Sequence, residues 1–305
     1  MHIEVNATRL WFDVEGPALV PDGDRMRPRP TVVLVHGGPG GYDHSYFKPD
    51  FARLAECAQV IYLDLRGHGR SGWGDAAEWS FESCADDIRA FCDALGIAVP
   101  VVLGHSMGGP IVLLYGARHP GHAAGLIISS GFARWDPPRM VEAFRRVAGA
   151  EVAEIARRSY SGEKVPEDEW ARVFAAFGPR LPDGKREAHT PRNTELNTHG
   201  MKLIRQLDIV EQLSRVESPV LVCTGELDPV TPVGAAEEIA CALPEGLARL
   251  EIIAGQATSP GWMPRTATGR SSPGSFGRSP LRWPRADQRG LISPIGPKPS
   301  CGVSM

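Results

Sequence analysis

Four short, almost wholly apolar runs constrain this chain more than anything else in it. They are Thr31-Val32-Val33-Leu34-Val35, Val60-Ile61-Tyr62-Leu63, Val101-Val102-Leu103 and Gly125-Leu126-Ile127-Ile128. Each is too short for a buried helix and lacks the alternation of a half-exposed strand, so each reads as a strand covered on both faces. Helical spacing between Phe81 and Leu95, and an apolar stretch from Ile111 to Tyr115, separate some of them. Buried strands alternating with amphipathic helices predict a mostly parallel α/β sheet flanked by helices. Residues 1–15 read as two strands around Asn6-Ala7-Thr8, and Asp22–Pro30 reads as a Pro/Asp/Arg-rich loop.

The alternation then stops. Residues 133–213 carry helical patterns (Met140–Ala148, Asp168–Phe177, Leu203–Leu213) and no convincing strand. A helical cap inserted into the sheet domain is expected there. The sheet resumes at Pro219-Val220-Leu221-Val222-Cys223, followed by a helix near Ala235–Leu243 and a strand Leu250-Glu251-Ile252-Ile253. The expected organisation is a core over 1–132 and 214–255, a cap over 133–213, and a disordered tail over 256–305. That tail holds eight Pro, seven Gly and eight Ser, with seven Lys/Arg against one acid, Asp287. It is therefore +6, leaving −9 on residues 1–255 of a chain whose net charge is −3. No Lys/Arg run accompanies that charge, so no nucleic-acid partner is expected.

A hydrophobic content of 42% and a charged content of 23% are those of a globular domain. No apolar run approaches the ~18 residues of a membrane span. The start, Met1-His2-Ile3-Glu4, predicts no secretory leader. The six cysteines form no CxxC or CxxH pair, and most read as small buried hydrophobes. A cytoplasmic location, no metal and no organic cofactor are expected. Oligomeric state is open.

Gly104-His105-Ser106-Met107-Gly108 joins a buried strand to a helix, the pattern of a nucleophile elbow. The turn is too sharp for side chains at Gly104 and Gly108, and it lifts Ser106 over the sheet edge. The N–H of Met107 then faces developing negative charge at a helix N-terminus. His36-Gly37-Gly38-Pro39-Gly40 follows the first parallel strand, and the N–H of Gly38 is the natural second oxyanion donor. Gly37 and His36 are read as loop support, as is His105. Asp228, in Gly225-Glu226-Leu227-Asp228-Pro229, is the candidate acid, with Glu226 second. The plainer alternative is that Asp228 only starts a turn or caps a helix. On a hydrolase sheet of this kind the chain order is Ser, then acid, then His. The last histidine here is His199, so none follows Asp228. The loop that should supply it reads Ala254-Gly255-Gln256-Ala257-Thr258.

The motifs HGGPG, DLRGHGRSG, GHSMGG and GELDPVTP, in this order, resemble the proline-iminopeptidase-like branch of the α/β hydrolases over residues 1 to about 255. The resemblance implies an eight-stranded sheet, a helical cap, and a Ser–Asp–His triad acting through an acyl-enzyme. It places Ser106 as nucleophile, Asp228 as acid, and Gly38 with Met107 as oxyanion hole. The elbow departs from iminopeptidases proper, which look more like GGSWGG. The expected substrates are therefore small molecules or short peptides: N-terminal prolyl peptides, or esters and amides of similar size. The ending departs too, since a Gly-His and a terminal helix are missing. Joining the third base of each codon to the next two gives a test of an altered frame. Trp262–Met263 then forces Asp, and Met263–Pro264 forces Ala. Gln256–Ala257 permits Gly, and Ala257–Thr258 permits His. The first expectation is a serine hydrolase whose gene leaves the family frame near Gly255. The alternative is a catalytically crippled module; full activity that depends on Ser106 would instead point to a base from elsewhere, such as a cap histidine (His189 or His199).

Overall fold

The computed structural model describes residues 1–177 and 192–257. The main sheet contains β1 (His2–Val5), β2 (Thr8–Glu15), β5 (Thr31–Val35), β6 (Gln59–Asp64), β7 (Val101–His105), β8 (Gly125–Ser129), β9 (Val220–Gly225) and β10 (Ala248–Ile253). Their order is β1-β2-β6-β5-β7-β8-β9-β10. The pairs β1–β2 and β2–β6 are antiparallel, and every pair from β6–β5 onward is parallel. Val33, Leu34, Val60, Leu63, Val102 and Ile128 are fully buried, as strands covered on both faces require.

One face is covered by α2 (Phe81–Ala94) and α3 (Gly108–Arg118). Ser80 and Ser83 form a reciprocal capping box that starts α2. The helix turns Cys84, Ile88 and Phe91 into the core, and almost every residue of α3 is buried. On the other face Phe47 and Phe51 pack with Leu34, Tyr62 and Leu103. Phe47 and Phe51 belong to short helical turns over 44–56, which include α1 (Lys48–Phe51). Cys84, Cys92 and Cys223 are buried, and Cys57 is exposed.

The expected loop at Asp22–Pro30 is instead largely a hairpin. β3 (Leu19–Asp22) pairs antiparallel with β4 (Arg25–Pro28), with Gly23 at φ 65° in a two-residue turn. Positive φ at such a position matches the twist of the flanking strands. Nearly every residue of the hairpin is exposed, so no apolar alternation marked it in the sequence.

Between β8 and β9 lie α4 (Pro137–Tyr160), α5 (Glu167–Phe177) and α6 (Thr194–Gln206). α4 bends at Gly149, whose φ is 86°. The helix expected over Leu203–Leu213 is displaced. α6 begins where the Asn193 side chain accepts from Leu196 N, and it ends where Leu207 turns extended. A separate 3-10 turn covers Glu211–Arg215. Among the described residues no helix is long and apolar enough to cross a membrane. His189 and the tail from residue 258 lie outside the described residues.

A buried ion pair ties the loop after β6 to α2. Arg66 Nε and Nη2 each donate to Asp87 at 2.6 Å, and Asn6 Nδ2 adds a third bond at 3.1 Å. Asp87 is 1% exposed. Removing one partner leaves the other charge buried and unpaired. Asp87→Ala is therefore expected to cost about 3–5 kcal/mol in urea denaturation. A loss below about 1 kcal/mol would show that the guanidinium finds water instead.

Candidate active site

The parallel strands end along one edge, and the candidate residues lie on the loops that leave it. His105 is in register with Ser129, Ser129 with Cys223, and Gly225 with Ile253. Ser106 follows β7 with φ 52°, an uncommon conformation for a non-glycine residue. Its N–H donates to Ser129 O at 3.0 Å, and its carbonyl accepts from Gly109 N at 2.8 Å. A Cβ on Gly104 would lie 2.2 Å from Gly108 O, and a Cβ on Gly108 would lie 2.4 Å from Val35 O. The elbow needs both glycines because three backbone segments meet there. Met107 is buried, and its N–H belongs to the first-turn donors of α3 that no helical carbonyl reaches.

The loop after β5 lies against the elbow. A Cβ on Gly37 would sit 3.1 Å from Ser106 Cβ, and one on Gly38 would sit 2.9 Å from Met107 Cε. Tyr46 Oη accepts from Gly37 N at 3.2 Å. His36 is fully buried; its Nε2 accepts from Leu65 N, and its Nδ1 donates to Gly37 O. His105 is buried beside Ser129 Oγ at 3.3 Å. The structure thus brings Ser106, Met107, Gly37, Gly38, Gly104, Gly108, His36 and His105 together.

Asp228 follows β9 and is fully buried. Its Oδ1 accepts from Val230 N at 2.9 Å and Thr231 N at 2.8 Å, and its Oδ2 accepts from Thr231 Oγ1 at 2.7 Å. These bonds organise the turn, the plainer role considered for this residue, and they also fix the carboxylate's orientation. Burial, and then the nearby Asp228 charge, push the Tyr160 hydroxyl's pKa upward. Glu226 is exposed and accepts from Gly255 N. His199 Nε2 is bonded to Trp79 O at 3.1 Å and does not line the cavity.

That cavity, about 400 Å³, lies between the strand edge and the helices α4–α6. Ser106, Gly38, Met107 and His105 line it from the sheet side, and Trp135, Met140, Tyr160, Trp170, Phe174 and Met201 from the helical side. Tyr42, Tyr46 and Asn197 also line it, and sequence reading had not singled them out. They sit in segments with no motif of their own. The one lining carboxylate is Asp136, among the described residues. It accepts from Arg139 N at 3.1 Å and pairs with Arg139 Nε at 3.2 Å.

Burial holds two of the buried imidazoles neutral. It depresses His68 to a pKa of about 3 and His105 to about 4. Unfolded histidines take up protons near 6.5. As pH falls from 6.5 the unfolded chain binds protons that the folded chain refuses, so stability drops until the folded pKa values are reached. We expect a loss of about 2 kcal/mol for each of these two histidines by pH 5, read from urea midpoints at constant slope. Equal stability at pH 7 and 5 would show that these rings are not held neutral.

The chain belongs to the α/β hydrolase family: the family profile, described as the alpha/beta hydrolase fold, matches residues 30–257. A monoacylglycerol lipase of Mycolicibacterium smegmatis is 30% identical over 247 residues, 76% of this chain and 79% of that protein. A proline iminopeptidase of Saccharolobus solfataricus is 27% identical over 223 residues, 66% of this chain and 71% of that one. Among solved structures, a proline iminopeptidase of Mycobacterium smegmatis superposes with a TM-score of 0.63. It is 22% identical and covers 85% of this chain and 91% of its own.

Proposed function

We propose that this chain is built as a serine esterase for uncharged, largely apolar esters. Ser106 is the nucleophile, Gly38 and Met107 are the oxyanion donors, and Asp228 is the acid. The observation that carries the substrate class is the cavity wall. A peptide with N-terminal proline brings a protonated secondary amine, a cation that needs a free carboxylate. The one described lining carboxylate, Asp136, is already bound by Arg139, and Arg134 and Arg139 add two cations to the wall. Both guanidiniums are drawn to Glu238. Prolyl peptides are therefore the second reading, favoured by the iminopeptidase motifs and by the iminopeptidase among the relatives.

No histidine follows Asp228 in the sequence, so the proton acceptor of a Ser–Asp–His triad is missing from its expected place. Ser106 Oγ would attack the ester carbonyl, the two N–H groups would hold the oxyanion, and water or hydroxide would have to take the serine proton. The rate left is the residue that an oxyanion hole and binding supply, about 10³–10⁴-fold over water. The missing base is assigned to a change of frame near Gly255, after every other component has been encoded.

The test is hydrolysis of p-nitrophenyl butyrate and of prolyl-naphthylamide by the full chain. Ester turnover is expected at a low rate that Ser106→Ala lowers by about 10-fold or more. No detectable prolyl-naphthylamide turnover is expected. Equal or faster release of naphthylamine would overturn the ester reading, and an ester rate indifferent to Ser106→Ala would overturn the nucleophile.

A further inference from the structure

The DLRGHGRSG motif has no part in the scheme above, yet its histidine lies directly beneath the oxyanion loop. His68 is 1% exposed. Its Nε2 accepts from Gly40 N at 2.9 Å, and its Nδ1 donates to Arg66 O at 2.9 Å. The Gly40 donor fixes the tautomer: Nε2 must be unprotonated, so Nδ1 carries the hydrogen. A Cβ on Gly38 would sit 3.1 Å from the same Nε2. The ring therefore leaves little room for a side chain at Gly38 and bonds the peptide at Gly40. Its own seat is rigid. The His36 ring packs edge-on at 4.8 Å, and the Arg66 side chain is locked to Asp87. The opposite side of the loop is held by α6. Asn193 N donates to Gly40 O at 2.9 Å, and Asn197 Nδ2 donates to Pro39 O at 2.9 Å.

We propose that His68 is a positioning residue: as a neutral Nε2 acceptor it sets the height of the Gly38 N–H over Ser106, and so the strength of the oxyanion hole. The proposal rests on the assignment of Ser106 and Gly38 made above. Acceptor chemistry is the requirement, because the partner is a backbone N–H. A leucine fills the space without accepting, and a glutamine accepts through Oε1. An oxyanion donor acts over a narrow range, and a misplacement near 1 Å costs about 10²-fold. This chain is a favourable place to see the effect. With no histidine after Asp228 to complete a triad, most of its remaining rate acceleration comes from the oxyanion hole and binding.

The experiment compares His68→Leu and His68→Gln in the full chain, by basal p-nitrophenyl butyrate hydrolysis and by amide hydrogen exchange. His68→Leu is expected to lower kcat by about 10–100-fold with KM within about twofold, and His68→Gln to recover most of it. The exchange readout is the Gly37 N–H, whose partner is Tyr46 and not His68. It is expected to speed up about 10-fold or more in His68→Leu, with strands β5–β8 unchanged. An unchanged kcat overturns the proposal, as does a kcat lost equally in both variants. Exchange that loosens the whole sheet together also overturns it, because His68 is then only a packing residue. If Ser106→Ala leaves the ester rate intact, the nucleophile assignment falls, and the Gly37 exchange still decides whether His68 holds the loop.

Discussion

Replacing Ala257 with histidine is expected to raise ester hydrolysis by this chain about 10²-fold or more. General-base catalysis contributes about 10²–10⁴-fold, and an engineered base reaches the lower part of that range. The placement follows from the loop after β10. Gly255 N donates to Glu226 Oε2 at 3.0 Å, and Leu227 N donates to Gln256 O at 2.8 Å. A Cβ on Gly225 would meet Gln256 O at 2.3 Å and Ala257 O at 2.7 Å. The loop thus runs against the segment that presents Asp228. Position 257 is also where the altered frame permits a histidine. The pH profile should change with the rate. The parent chain's kcat should climb with hydroxide, while Ala257→His should level off above the imidazole pKa, near 6.5–7. The gain must vanish in Ala257→His with Ser106→Ala. A gain that survives Ser106→Ala would mean the new imidazole attacks the ester by itself. Sequencing the gene across codons 253–265 is the companion measurement. Stop codons in the alternative frame, or no Gly-His there, would remove the frame explanation.

The second large effect concerns stability. Gly104→Ala is expected to cost about 3 kcal/mol or more and to lower Tm by roughly 6–12 °C. The added methyl would lie 2.2 Å from Gly108 O, 2.5 Å from Gly108 C and 2.8 Å from Val112 Cγ2. Two of these atoms are backbone at the start of α3, a helix buried on almost every side, so a rotamer change alone cannot relieve the clash. Thermal melts of parent and variant decide it. A Tm within about 2 °C of the parent would mean that β7 and α3 separate at little cost.

The sheet was legible because its strands are buried on both faces, so Val33–Val35 and Leu126–Ile128 had to be apolar without interruption. The elbow was legible for a related reason: Gly104 and Gly108 face backbone that leaves no alternative residue. The hairpin Leu19–Pro28 was not, since strands exposed on both faces carry no alternation. The helical segment after β8 was legible in kind but not in boundary. Leu203 to Leu213 keeps an apolar rhythm, and only the dihedral change at Leu207 ends α6. His68 went unread as a support for the oxyanion loop because its partner, the Gly40 N–H, lies 28 residues away in a motif read for its glycines. Asp136 went unread because its occupied state depends on Arg139, and no spacing rule says which carboxylate is already taken.

The bend at Gly149 divides the wall of the cavity into two kinds of part. Its far half, with α5, is joined internally by Arg158–Glu169 at 2.7 Å and Arg172–Glu151 at 2.5 Å, and it carries Tyr160, Trp170 and Phe174. α6 is instead bonded to the glycine loop itself through Asn193 and Asn197. Substitutions in the first part can reshape which molecules are admitted and leave the reacting geometry alone, while substitutions in α6 reach both. A lineage carrying this architecture can therefore drift in diet through α4 and α5, and α6 is the stretch where such drift is checked.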